Sequence, residues 1–166
     1  MSLRLLLLIV SAALLAFSGG YVHSKNVSTE ILEITQADKK IILDYLDNET
    51  NDLASPHRGK MYSAFNVLGT SRNKIYLWVT KIEYLQAGGK ITHEGGDAVS
   101  SHVVLYVKKT GKNFRILSNK FPDDGENYFK SLKKLFPPDI QSPNYDDNLK
   151  LKEITRTRAE EDFNPS

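Results

Sequence analysis

The sequence predicts an α+β domain in which an N-terminal helix packs on a four-stranded antiparallel meander, followed by short C-terminal helices. Three observations predict it. Residues 61–121 fall into four alternating apolar and polar segments separated by glycine-rich or polar turns. Before them, Ile41, Ile42, Tyr45 and Leu46 recur at helical spacing. After them, Tyr128, Phe129, Leu132, Leu135 and Phe136 do so again, until Pro137 and Pro138 stop the run.

At the start of the chain, Arg4 precedes an apolar run over residues 5–17 and then small and polar residues from Ser18 to Ser24. That order is expected of a secretory signal peptide occupying residues 1–24, with the cut before Lys25 preferred to one before Tyr21, and an uncleaved anchor as the minority reading. The run falls short of the roughly 20 apolar residues that a spanning helix needs. Membrane contact is therefore expected only through this segment before cleavage. The mature chain is expected to be secreted or extracellular, or held at the envelope by protein contacts. No cysteine occurs, which excludes disulfides, thiolate metal sites and a lipid-accepting cysteine. The 22 basic residues nearly balance the 20 acidic ones, which argues against dedicated nucleic-acid binding. No cofactor is implied. Residues 25–145 are expected to form one α+β domain, and 146–166 a C-terminal helix and tail.

Taken in order, residues 25–33 are mostly polar and read as a lead-in or a short strand. Thr35 with Asp38 marks a helix N-terminus, since a threonine hydroxyl accepts from a first-turn amide and an acid there suits the helix dipole. Ala37, Ile41, Ile42, Tyr45 and Leu46 form its apolar side; Lys39, Lys40, Asp44 and Asp47 form its exposed side. Pro56 and Gly59 break the chain before the sheet. Within the sheet, Met61, Phe65, Val67, Ile75, Leu77, Val79, Val99, Val103, Leu105, Val107, Phe114 and Ile116 share one parity and define a core face. The opposite parity is aromatic, with Tyr62, Tyr76, Trp78, Tyr84 and Tyr106. Thr110 and Gly111 predict a tight hairpin, and residues 88–96 a longer flexible turn. Asp123, Asp124 and Gly125 predict a turn that caps the next helix. A last helix over about 148–162 places Leu151, Ile154 and Arg158 on one side, with a thin apolar face.

One helix followed by a meander resembles the cystatin-like or nuclear-transport-factor-like roll. A likeness in residues runs from 60 to 138: MYSAFNVLG at 61–69, IYLWV at 75–79, FPDDGENY at 121–128 and LFP at 135–137. These runs resemble small exported proteins and lipoproteins of Gram-positive bacteria whose role is uncharacterised. The likeness implies no catalytic residues. Lipid anchoring does not carry over, because the lipidated cysteine is absent. The Gln-x-Val-x-Gly hairpin of cystatin inhibitors is absent too.

Several residue sets have the right chemistry for a site. His93, Asp97 and His102, with Glu94 among them, offer imidazole and carboxylate groups for a metal. Ser100 and His102 share a strand face and so allow a nucleophile beside a base, although no third group is evident to orient the imidazole. Asp123 and Asp124 fall short of a calcium cage. Asn26 and Asn48 head glycosylation acceptor triplets, and Lys130, Lys133 and Lys134 form a basic patch on the short helix. The main functional expectation is a binding module acting through the aromatic face, with Tyr76, Trp78, Tyr84 and Tyr106 contacting an extracellular or envelope protein, or a glycan. The opposite expectation for that face is that the helix carrying Phe129, Leu132 and Phe136 covers it. Two other classes compete: a small enzyme or metal- and ligand-binding roll using a helix–sheet pocket, and a structural or regulatory protein acting through its C-terminal helix.

Overall fold

A computed structural model of the chain describes residues 32–111, 113–140 and 145–164. The expected signal segment, the first part of the lead-in and the acceptor triplet at Asn26 lie outside the described residues. The elements are α1 (Gln36–Asn48), β1 (Lys60–Ser71), β2 (Lys74–Ala87), β3 (Lys90–Thr92), β4 (Ala98–Thr110), β5 (Asn113–Lys120), α2 (Tyr128–Leu135) and α3 (Tyr145–Phe163). Helix α1 starts where the sequence places it. The Thr35 hydroxyl accepts from the Asp38 amide at 3.2 Å, and the Asp38 carboxylate accepts from the Thr35 amide at 3.0 Å.

All strand pairs are antiparallel, in the spatial order β1-β2-β4-β5. The four expected strands are present, and a fifth, β3, occupies part of what reads as a flexible turn. Leu85, Gln86 and Ala87 pair with Thr92, Ile91 and Lys90, and Gly88 and Gly89 close the hairpin with positive φ. Gly111 turns the β4–β5 hairpin with φ +66°. Two register shifts move side chains off their expected parity. One lies between Val67 and Gly69. The other pairs Tyr106 with Ser118 but Val107 with Ile116, so Leu117 bulges out and is exposed.

Both faces of the sheet are covered. On one, Ile42 and Leu46 of α1 cluster with Ile75, Leu77, Val103, Leu105 and Phe114. On the other, Leu132 and Phe136, from α2 and its end, close over Tyr76 and Val104, while Ala159 and Phe163 of α3 lie on Tyr62, Ile82 and Tyr84. Burial of each large side chain contributes roughly 1.5–3 kcal/mol, which is why an amphipathic helix docks on an apolar sheet face. Helix α3 is 19 residues long rather than short. Its sheet-facing residues Leu151, Thr155 and Ala159 are buried, and the small Thr and Ala side chains let it approach closely despite a thin apolar face. The turn before α2 is not capped by its acids: neither Asp124 nor Asn127 makes a side-chain cap bond, and the Ser131 hydroxyl accepts from the Asp123 amide instead.

Candidate functional site

The residues singled out from sequence do not converge. His93 stays in the loop after β3, its ring edge on Tyr84 at 6.0 Å between centroids. Asp97 lies 4.0 Å from His57 Nε2. His102 is carried along β4 and buried under α2, with Nδ1 2.7 Å from the Tyr128 hydroxyl and its ring between Trp78 and Phe136. Among the described residues no group of three His, Cys, Asp or Glu side chains is placed to hold a metal ion. Of the expected metal set, one member is inside the domain and two are on loops. Ser100 does not turn to His102 either. Its hydroxyl is 2.9 Å from that of Thr80, its neighbour across the sheet.

On the aromatic face, the second of the two expectations describes Tyr76 and Tyr84, which lie under helices. Tyr76 packs on Phe136 at 5.3 Å and is buried. Tyr84 is buried under α3, its hydroxyl 3.2 Å from that of Thr155. The Trp78 indole donates to Asn148 of α3. Tyr106 is half-buried, with the Lys74 ammonium 5.4 Å from its ring centre. Tyr76, Trp78 and Tyr84 attach α2 and α3 to the sheet through their apolar area, and Trp78 and Tyr84 also through a polar tip that finds a partner in α3.

What the fold builds instead lies along β1, an edge strand flanked by α1 on one face and α3 on the other. At Ser63 the helices meet across that edge. The Ser63 amide donates to Asp47 Oδ1 at 2.7 Å, and the Ser63 carbonyl accepts from Arg158 Nη1 at 2.5 Å. Arg158 Nη2 reaches Asp47 Oδ2 at 2.7 Å. A carboxylate and a guanidinium thus stand where the peptide groups of a neighbouring strand would stand. The sequence pattern puts Asp47 on the exposed side of its helix and Arg158 on one side of the last helix, and a separation of 111 positions hides their pairing.

On one side of this clamp is a polar cleft of about 680 Å³, lined by residues that include Asp44, Asn48, Asn51, Lys60, Tyr62 and Glu161. At its wall the Asp162 carboxylate accepts from Lys60 at 2.7 Å and from the Tyr62 hydroxyl at 2.6 Å. Those two donors hold its pKa below the usual carboxylate range. Burial, then the bond to Asp162, pushes the Tyr62 hydroxyl up. On the other side is an apolar hollow of about 440 Å³ between Ile34, Leu43, Phe65, Val67 and Ile154, rimmed by Lys39. Val67 and Ile154 are 39% and 47% exposed there. Because the Ser63 peptide groups face outward, alternation turns those of Phe65 and Val67 outward as well. Among the described residues nothing bonds to them. Beyond the bulge the edge is covered again, where Thr70 Oγ1 donates to the Leu32 carbonyl at 3.1 Å. The result is a two-residue window of free strand edge with apolar side chains on both faces.

Two buried ions stand behind the clamp. Lys81, the register partner of Ser63, is fully buried and donates from Nζ to the Thr50 carbonyl and hydroxyl, both at 3.0 Å. Burial lowers its pKa. Glu83, the partner of Met61, receives amides from His57, Arg58 and Gly59 on Oε1 at 2.8, 2.6 and 2.5 Å, and from Asp97 on Oε2 at 3.0 Å. Burial alone would raise its pKa, but the four amides outweigh that and bring it to about 2. The loop that delivers the chain into β1 is thereby pinned. A side chain at Gly59 would meet the Tyr84 carbonyl oxygen at 2.2 Å, so the pinned loop requires glycine there. Lys81 and Glu83 continue the core parity of Ile75, Leu77 and Val79, and that alternation is the signal that marks them as buried. No family model, curated protein or solved structure matches the chain.

Proposed function

We propose that the protein is a binding module of the secreted or envelope space that holds an extended polypeptide along the free edge of β1, between α1 and α3. The observation that carries this is the window at Phe65 and Val67, where outward peptide groups coincide with an apolar hollow. Strand addition uses those two features together: backbone bonds supply affinity and flanking pockets supply specificity. A protein segment suits this surface better than a glycan, because the window offers peptide groups and aliphatic side chains rather than an open aromatic platform. The binding class expected from the aromatic face is kept, and its surface moves to the strand edge. The likeness to a cystatin-like roll is supported by the order of elements and by Ile42 and Leu46 of α1 lying in the core cluster of the sheet.

The test is a displayed library of random twelve-residue peptides, selected on the immobilised protein. Enriched peptides should lose binding to Val67→Pro and to Ile154→Arg while retaining it on Trp78→Ala. Failure to enrich any sequence, or loss on Trp78→Ala alone, would remove the strand edge as the binding surface.

A further inference from the structure

We infer that the segment received by β1 is an apolar run of three residues with a Lys or Arg placed four to six residues after its first member, paired antiparallel to β1. This deepens the strand-edge reading and rests on it. The apolar part follows from the walls of the hollow. A residue opposite Val67 and one opposite Phe65 direct their side chains to the α1 face, beside Ile34 and Leu43. The residue between them, opposite Asn66, directs its side chain to the other face, beside Ile154. A strand enclosed on both faces is apolar at consecutive positions rather than at alternate ones.

The basic part follows from charge. An antiparallel partner runs from Val67 back toward Ser63 and Met61, and therefore from the apolar hollow toward the polar cleft. Four carboxylates, Asp44, Asp47, Glu161 and Asp162, line that cleft against two cations, Lys60 and Arg158. Both cations are already committed, Lys60 to Asp162 and Arg158 to Asp47, each at 2.7 Å. Asp44 and Glu161 are exposed and make no ion pair among the described residues. The surplus is negative and meets the chain downstream of the window. Ser63 is occupied by the clamp, so the partner leaves the strand edge there and its long side chains reach across to the cleft. Six strand residues span roughly 20 Å, which matches a basic residue four to six positions on.

The test measures anisotropy of two fluorescent octapeptides, TVIVTKSK and TVIVTESE, with the full chain at low ionic strength. The expected result is binding of the basic peptide about tenfold tighter than the acidic one, an advantage that shrinks with added salt. The double variant Asp44→Lys, Glu161→Lys changes two exposed residues outside the core, and should abolish or reverse that preference. Ile154→Arg and Val67→Pro should weaken both peptides. Equal affinity for the two peptides, with both lost on Ile154→Arg, would overturn the charge assignment while leaving the strand edge as the binding surface. Binding of neither would overturn this inference, and the displayed library then decides the strand edge independently. Sedimentation of the chain alone covers the remaining occupant. A dimer that dissociates in Val67→Pro would show that a second copy takes the window, and would overturn the inference as well.

Discussion

The two edges of the sheet are protected by different means. β5 carries Arg115 and Lys120 within eight residues and bulges at Leu117, so its own side chains and backbone discourage another strand. β1 has no charged side chain from residue 61 to 71. Its protection is borrowed: Asp47 and Arg158 come from the two flanking helices and occupy a single residue, Ser63. Self-protection closes an edge along its length, whereas borrowed protection closes only the points where helices reach. The window at Phe65 and Val67 is what that difference leaves open.

The largest expected effect falls on the anchor behind the borrowed edge. Glu83→Gln replaces two acceptor oxygens with one and places an amide against backbone donors, so it should cost on the order of 3 kcal/mol in urea unfolding. The sign of the pH dependence is fixed by the depressed pKa. The stabilisation is fully present above 4.5 and is lost as pH falls through about 2. The Gln variant should therefore show a shallower loss of stability over that interval. An equally steep acid transition in the variant would place the acid sensitivity elsewhere. Nothing on the β5 side is expected to match it.

Proline substitution tests the alternation on which the window depends. The Asn66 amide faces β2, so Asn66→Pro should cost about 3 kcal/mol, whereas Val67→Pro removes only an outward donor and should cost under about 1 kcal/mol. Thermal or urea denaturation of the pair distinguishes them. Equal costs would mean that the outward assignment of Val67 is wrong.

How much of this was legible in the sequence follows from range. Alternation over Ile75, Leu77 and Val79 and the Thr35–Asp38 signature are local, and strands and α1 appear where they predict. Alternation also placed Tyr76 and Trp78 on a second face, but whether that face is open depends on α2 and α3, which return to it from more than 50 residues away. The Asp47–Arg158 clamp is a pairing of the same kind: each residue alone reads as a solvated charge on a helix. His93, Asp97 and His102 illustrate the converse: they are close in sequence, but β4 carries His102 away from the loop that holds the other two. The edge position of β1 is likewise a property of strand order, which strand patterns alone do not specify.

Removing the borrowed group should convert one kind of edge into an unprotected one. Arg158→Met keeps the aliphatic stem but leaves the Asp47 carboxylate with only the Ser63 amide, at a cost of about 2 kcal/mol. It also frees the Ser63 carbonyl at the edge, so sedimentation velocity should show concentration-dependent association. The double variant Arg115→Ser, Lys120→Ser should change stability by under about 0.5 kcal/mol, since both residues lie on the surface, yet it too should promote association. If the β5 variant associates and the Arg158 variant does not, the clamp holds helices rather than guarding an edge.

A small stability effect is expected behind the clamp, at Lys81. Its ammonium sits across the sheet from Ser63 and ties the Thr50 carbonyl, just past the end of α1, to β2, thereby fixing the helix turn that carries Asp47. A buried amine with a lowered pKa costs stability while it is charged. As pH rises above the folded pKa, the native chain has released a proton that the unfolded chain still holds, so this term increases stability until the unfolded value of 10.5 is passed. Burial raises the pKa of Tyr45, Tyr62, Tyr84 and Tyr128, and their contributions fall at pH values above 10.0, with the opposite sign. The comparison is therefore made below about pH 9.5, as a difference between wild type and variant. Lys81→Met removes the buried charge and leaves the Thr50 carbonyl without that donor, two effects that offset to within about 1 kcal/mol at neutral pH. Relative to the variant, wild type should gain stability as pH rises. If the variant matches it at every pH and also keeps its peptide binding, the borrowed closure of β1 stands without the amine, and the clamp alone distinguishes this edge from β5.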